Sequence, residues 1–445
     1  PGLREPFREP ALRLETLVVR GGRGAGKTAL FHYLGHLRRD PALSAQCRDW
    51  MPASTTWVEG YSPAIDHPKR DVVGRFGETA DGDRHRFFWF AWLCARLSQG
   101  TGVALPDGAL ARAVSTNGEP GDLADAAAAE LGALSNWMDG VERGLDRSVV
   151  VTYDGLDRIG GSSTTRRKMT ANLLGMWLSL ADRYRRIRPK VFVREDLFQM
   201  AASAFPDASK LDARSVSLDW RVEDLYRVLI KHMANLSDGL KNWIESSSRG
   251  IDLESRGALG WTPPDALPET GRSSQKSFVD HLVGELMGSG DKKGYTYRWI
   301  PNRLQDAHAR AVPRSILSLI RNAAARAIER GPGAQSLRLL TPEELRLALE
   351  STSRRRASEL QEEFPVVARL EALRNQMVML PRKTALAALS RSSPDDEYRT
   401  DGESVLRALS ELGVMSERPD GRIDVPDIYR YGFGILRKGG VKRPR

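Results

Sequence analysis

The segment Gly21-Gly22-Arg23-Gly24-Ala25-Gly26-Lys27-Thr28 satisfies the pattern G-x-x-x-x-G-K-[ST]. Glycines at these intervals let consecutive backbone N–H groups turn inward and form a nest for an anion. A helix starting there adds the partial positive charge of its N-terminus. Lys27 would reach the outer phosphate oxygens, and the Thr28 hydroxyl would ligate a hard divalent cation. Residues 21–28, with Ala29 behind them, are thus candidates to hold a polyphosphate and its Mg²⁺. A Gly-rich turn before a helix is the bland alternative, and the surroundings argue against it. Leu14–Arg20 is a β-branched, apolar run, and Ala29, Leu30, Tyr33, Leu34 and Leu37 follow at helical spacing.

Such a loop needs a carboxylate at the end of a neighbouring buried strand. Arg147–Asp154 (RSVVVTYD) supplies one, with Asp154 lying 127 residues after Lys27. Its unbroken apolar run suits a strand buried on both faces of a parallel sheet. Asp154 and Thr28 are the candidate metal ligands. Asp157 is the candidate to polarise an attacking water, with a helix cap as the competing role. Gly155 follows Asp154 where many enzymes of this chemistry keep a catalytic Glu, which leaves slow turnover or a pure switch open. Arg194 ends the strand Lys190–Arg194 and is placed to read a terminal phosphate bidentately, or else to pair with Glu195, Asp196 or Asp157. The basic run Arg183–Arg194 reads first as a helix C-terminus favoured by the macrodipole.

These residues must be carried by a sheet with alternating helices. Strands are expected at Thr55–Tyr61 and Arg214–Leu218 besides those named, and helices at Phe87–Leu97, Asp122–Met138, Arg167–Arg186 and from Val222. Asp66–Asp83 reads as a loop. Residues 236–340 read as mainly helical, interrupted by an exposed Ser/Gly/Pro-rich insertion at 245–277. Thr341-Pro342-Glu343-Glu344 opens a further helix. A helix at Glu403–Leu412, then Val414–Arg418, the turn Pro419-Asp420-Gly421 and Arg422–Val425 outline a winged helix. The domain boundaries expected are 1–235, 236–340 and 341–445.

The chain has 445 residues, 41% hydrophobic and 28% charged, with a net charge of +10. That supports a globular core and a polyanionic partner. The longest apolar run, Phe87–Ala95, is far short of the ~20 residues a membrane-spanning helix needs. Cys47 and Cys94 make neither a disulfide framework nor a metal set. A cytoplasmic setting is the expectation.

In the order GGRGAGKT, VVVTYDGLDR, KVFVRED, SLDWRVEDLYRVL and AVPRSIL, the chain resembles the additional-strand P-loop ATPases. The closest likeness is to the STAND and AAA+ (origin-recognition-like) branch. The resemblance implies an α/β P-loop core, a helical lid and a C-terminal winged helix. It also implies ATP as ligand, homo-oligomers or a separate effector as partners, and a role in bacterial antiphage defence. Absence of N/T-K-x-D supports adenine over guanine. Arg314, at the start of the helix in AVPRSIL, takes the place of the lid arginine called sensor 2. An ion pair is the alternative, since a cation at a helix N-terminus asks for an anionic neighbour. Arg303 and Arg310 are candidate trans-acting fingers. From Gly421 on, Arg422, Arg430, Arg437, Lys438, Lys442, Arg443 and Arg445 interleave with Tyr429, Tyr431 and Phe433. This could track a DNA backbone, or serve as a solvated tail with packed wing aromatics. Two functions follow: an ATP-hydrolysing switch that assembles or binds DNA, and a nucleotide-sensing scaffold with little turnover.

Overall fold

The computed structural model describes residues 11–37, 55–62, 64–65, 67–202, 208–247, 251–257, 260–264, 271–290, 294–331, 338–362, 364–391 and 401–437. The chain forms two compact units divided between Leu218 and Asp219.

The first unit is built on five parallel strands: β1 (Val18–Gly21), β2 (Thr56–Tyr61), β3 (Val149–Tyr153), β4 (Ile187–Arg194) and β5 (Ser215–Ser217). Their order is β2-β3-β4-β1-β5, so β4 lies between the strand of the glycine loop and the strand that precedes Asp154. All five residues of β3 are buried, as its unbroken apolar run requires. The helix Gly82–Thr101 packs on β2 and on the helices Pro120–Ala129 and Ser163–Arg183. Phe88, Trp89, Ala91, Leu93, Cys94 and Leu97 are fully buried within it. Asp81 caps this helix by accepting from Arg84 N, and Gly102 ends it in the left-handed region.

Two expectations in this unit need correction. Asp66–Asp83 is not a loop: residues Arg70–Thr79 form a helix that buries Val73 and Phe76. Its glycines serve close approach rather than turning. A Cβ on Gly74 would lie 2.3–2.6 Å from backbone atoms of Gly160, and one on Gly77 would lie 2.7 Å from the Thr165 methyl. Gly74→Ala is therefore expected to destabilise the first unit by about 1–3 kcal/mol, because the clash is with backbone. Thermal unfolding checks this, and an unchanged melting temperature would refute it. The second correction concerns Asp122–Met138, which is two helices, Pro120–Ala129 and Leu131–Gly144. The break falls at Glu130, whose carboxylate accepts from Ala109 N and Leu110 N and so caps a short helix, Ala109–Ser115.

The second unit has its own core, which includes Tyr226, Ile230, Phe278, Ile316, Leu319, Leu349, Leu370 and Leu409. Its helices include Val222–Ala234, Asp238–Ser247, Gly271–Leu282, Thr296–Leu304, Pro313–Arg330 and Pro342–Gln361. The last opens on a full capping box between Thr341 and Glu344, with Pro342 in the first turn. The described part of 245–277 is exposed at several positions, among them Asp252, Glu254, Ser255 and Gly257, yet it also pairs and packs. Strands β6 (Glu254–Ser255) and β7 (Trp261–Thr262) pair there, and Ile251, Leu253 and Thr262 are buried.

At the C-terminal end, helices Arg382–Leu389 and Gly402–Glu411 accompany a three-stranded antiparallel sheet. Its strands are β9 (Leu380–Pro381), β10 (Ser416–Glu417) and β11 (Arg422–Asp424), in the order β10-β11-β9. The expected helix, strand pair and Asp-Gly turn are present; β9 was not foreseen, being two residues long. A separate parallel pair joins β8 (Met377–Val378) to β12 (Leu436–Arg437). Among the described residues, no helix is long and apolar enough to cross a membrane.

Candidate functional site

β1 carries the glycine loop to the C-terminal edge of the sheet. Gly24 and Gly26 adopt φ of 86° and 101°, conformations that a side chain would strain. The chain closes a tight turn through Ala25 N to Gly22 O at 3.1 Å, then enters the helix Lys27–Leu37. Lys27 arches over the loop and donates to Gly21 O at 2.8 Å and Gly22 O at 3.1 Å. Burial pushes its ammonium down to about 8, against the opposing pull of Asp157 and Asp154.

The neighbouring strand ends bring the other charges to the same edge. Arg194 on β4 stands in register with Gly21 on β1. Asp154 follows β3, is buried, and fixes its backbone through Asp154 N to Tyr61 O at 2.8 Å. Burial raises its carboxyl above the usual range, countered by hydrogen bonds from the Thr28 hydroxyl and from Gly155 N–H. Gly155 turns the chain with φ 71°, and the short turn Leu156–Arg158 then presents Asp157. Asp157 Oδ2 lies 3.9 Å from Arg194 Nη1, while Arg194 Nε donates to Asp196 Oδ1 at 3.0 Å. The expected residues Lys27, Thr28, Asp154, Asp157 and Arg194 thus form one cluster; Arg194 makes the ion pairs with Asp157 and Asp196 and stands in register with Gly21 at the loop end of β1.

The donor set fits a magnesium ion. The Thr28 hydroxyl donates a hydrogen bond to the Asp154 carboxylate, both are hard oxygen ligands, and Mg²⁺ typically takes one or two such ligands and completes its shell with phosphate and water. Among the described residues, no group of three or more His, Cys, Asp or Glu could hold a metal by itself.

With the loop at the end of β1, the acid at the end of β3 and one strand between them, the architecture is decided. The five-stranded core is a P-loop NTPase sheet of the additional-strand class. No family model and no curated protein matches the chain. Among solved structures, the ORC2 protein of Aeropyrum pernix in ADPNP–ADP complexes is similar over 93% of this chain and 84% of its own, at 12% identity and a TM-score of 0.37. Cdc6p from Pyrobaculum aerophilum is similar over 93% and 84%, at 11% identity and a TM-score of 0.29. Scores this low lend no support to a shared activity; the fold class rests on this chain's own strand order and loop geometry.

The remaining candidates belong to the second unit. Arg314 is exposed and pairs with Glu359 at 3.5 Å, the ion pair that its position at a helix start asks for. Arg303 donates to the buried Asp427 at 2.8 Å, and Arg310 lies 3.8 Å from Asp219. The C-terminal cations are also engaged. Arg422 pairs with Asp420, Arg430 with Asp427 and Arg437 with Asp424. Tyr429 and Phe433 are buried in the core, and Tyr431 lies against the Arg430 guanidinium at 4.0 Å. The packed-aromatic alternative therefore describes Tyr429 and Phe433, which offer no free ring for a base to stack on. Lys438, Lys442, Arg443 and Arg445, like Cys47, lie outside the described residues.

Two charged residues of the cluster escaped the sequence reading as site residues. Sequence spacing gives Asp196 a part only as a partner for Arg194. Arg166 sits in the first turn of the helix Ser163–Arg183, half-buried, with Asp157, Asp196 and Arg194 all acting on its charge. The signal was present: a cation in a first turn with no acid beside it, the same argument that singled out Arg314.

Proposed function

We propose that the protein is an ATP-binding P-loop ATPase, in which Lys27 and the amides of residues 21–28 grip the phosphates and Thr28 and Asp154 hold the metal. The observation that carries this is the convergence of Lys27, Asp154, Asp157 and Arg194 at one sheet edge, at the end of a glycine loop in its required strand-to-helix setting. The metal would neutralise charge on the outer phosphates when bound. Lys27 and Arg194 supply fixed positive charge where negative charge gathers as the terminal phosphoryl group departs. Asp157 orients or deprotonates the attacking water. The nucleotide then works as a switch, with the C-terminal helices and three-stranded sheet acting as a winged-helix module that docks a second copy, an effector or DNA.

A second reading, a nucleotide-sensing scaffold with little turnover, is favoured by a specific observation. Asp157 stands 3.9 Å from Arg194, and Gly155 holds a left-handed turn where a catalytic Glu would otherwise follow the metal-binding acid. Steady-state phosphate release separates the two. The ATPase reading expects turnover by the wild type and a loss of about 10²-fold or more in Asp157→Asn, the range of a general base. Turnover at background level in the wild type, with tight nucleotide binding retained, would support the scaffold. Light scattering with a slowly hydrolysed analogue, with and without duplex DNA, reports assembly on the same samples.

A further inference from the structure

Near the C-terminus Arg418, Arg422, Arg430 and Arg437 each have a carboxylate within 3.3 Å. One surface of the first unit is different. Lys69 and Arg70 open the helix Arg70–Thr79, Arg158 ends the short turn Leu156–Arg158, and Arg166, Arg167 and Lys168 follow early in the helix Ser163–Arg183. Lys69, Arg70, Arg158 and Lys168 are exposed, and Arg166 and Arg167 are half-buried. Among the described residues, none of these cations makes an ion pair. Like charges gathered without counter-charges create a positive field that an anionic partner relieves.

Backbone contacts hold these residues around a single two-glycine turn. Gly160 N donates to Arg70 O at 3.2 Å, and a Cβ on Gly160 would lie 3.1 Å from Asp71 Cα. The start of the helix Arg70–Thr79 therefore lies directly against the chain just after Arg158. Gly161 is exposed, with φ 88°, and its carbonyl accepts from Arg166 Nη1 at 2.7 Å. The nearby acids are engaged elsewhere. Asp71 faces Arg75 at 3.4 Å, Glu78 Oε1 accepts from Ser162 N at 3.1 Å, and Asp157 lies 3.9 Å from Arg194. The first turn of the helix Ser163–Arg183 contains no acid, so its dipole adds to the positive field.

The make-up of this surface selects its partner. A protein interface has an apolar, aromatic-rich centre. Here the large apolar side chains exposed among the described residues all lie elsewhere, and Phe76 beneath the surface is buried. With no exposed ring there is nothing for an unpaired base to stack on. What is offered is positive charge beside exposed glycine backbone, which suits a row of phosphates. We infer that the surface formed by Lys69, Arg70, Arg158 and the run Arg166-Arg167-Lys168 binds the phosphate backbone of duplex nucleic acid without reading its base sequence. This surface belongs to the first unit, apart from the C-terminal three-stranded sheet, and its binding requires no nucleotide.

The test is fluorescence anisotropy of the full chain, without nucleotide, on two labelled DNA duplexes of unrelated sequence over a range of salt. The wild type should bind both with affinities within about threefold, and the logarithm of the affinity should fall linearly with that of the salt concentration. The triple variant Lys69→Ala, Arg70→Ala, Arg158→Ala should lose about tenfold or more and shed about 3 from the salt slope, roughly one for each cation removed. Arg70→Lys with Arg158→Lys, which keeps the charge, should stay within about threefold of wild type. Arg422→Ala, which removes a cation already paired with Asp420, should bind as the wild type does. The replaced side chains of the triple variant are exposed, so an unchanged thermal transition is the control for folding. Wild-type protein that shows no salt-dependent binding, or that prefers one duplex, overturns the assignment. So does a triple variant with wild-type affinity and slope, or an equal loss in Arg422→Ala. A failure of the nucleotide reading would look different, as absent ATP binding with DNA binding intact.

Discussion

Lys27→Ala is expected to weaken nucleotide binding about ten- to hundredfold, and the binding it removes should carry a pH signature. The magnitude follows from one lysine replaced against a polyphosphate, where hydrogen bonds to charged groups contribute roughly 1.5–3 kcal/mol. The pH signature follows from burial. In the free protein Lys27 is depressed to about 8, because the loop and its surroundings desolvate the ammonium. Phosphates favour the charged form and raise that value in the complex. Above about pH 8 the free protein has lost the proton that the complex needs, so binding must take one up. Affinity should be flat with respect to this group below about pH 7.5, then fall by up to about tenfold per pH unit until the pKa of the complex is reached. Titration calorimetry in two buffers of different ionisation heat measures the proton uptake directly near pH 9. Uptake that persists in Lys27→Ala would assign it to another group and remove Lys27 from the site.

Asp427→Ala should cost the second unit about 3–5 kcal/mol. Asp427 is buried and faces Arg303 at 2.8 Å, Arg430 at 2.9 Å and Arg437 at 3.6 Å. Removing a partner from a buried ion cluster leaves charges without compensation, which is far more damaging than replacing the whole cluster with apolar groups. Arg430, itself buried, still has the Ile435 carbonyl at 3.0 Å, and Arg437 retains Asp424. Neither recovers the charge. For a unit of about 200 residues this loss corresponds to a fall in melting temperature of roughly 10 °C. Asp427→Asn, which keeps an acceptor and loses the charge, should fall between. Scanning calorimetry of the full chain checks both, and a wild-type transition in Asp427→Ala would mean that the cluster adds nothing to stability.

The same cluster changes how the C-terminal charge is read. Counted along the chain, Arg422, Arg430 and Arg437 look like part of a basic stripe with aromatics between. In three dimensions each guanidinium has a nearby acid, and Arg430 and Phe433 belong to the interior. A run of cations in sequence carries no information about which of them face water. Deciding that requires knowing that Asp424 and Asp427 turn back on the same residues.

Some of this protein was fixed by local chemistry alone. The glycine loop, its lysine and its threonine are bound to one another by sequence spacing, because the nest is a single turn of backbone whose geometry the glycines permit and the following helix completes. The buried strand ending at Asp154 was equally legible, since five consecutive apolar or β-branched residues have no other sheltered place to go. The helix Arg70–Thr79 was not, because Gly74 and Gly77 look like breakers until the backbone of Gly160 and the side chain of Thr165 are known to press against them. Only the folded sheet decided that β4 separates β1 from β3, so that Arg194 stands beside Gly21 across 173 positions of sequence. The same holds for Asp196, which acts on the charge of Lys27 and pairs with Arg194. Electrostatic neighbours are set by distance in space, and a chain read along its length carries spacing within an element but not the order in which strands lie side by side.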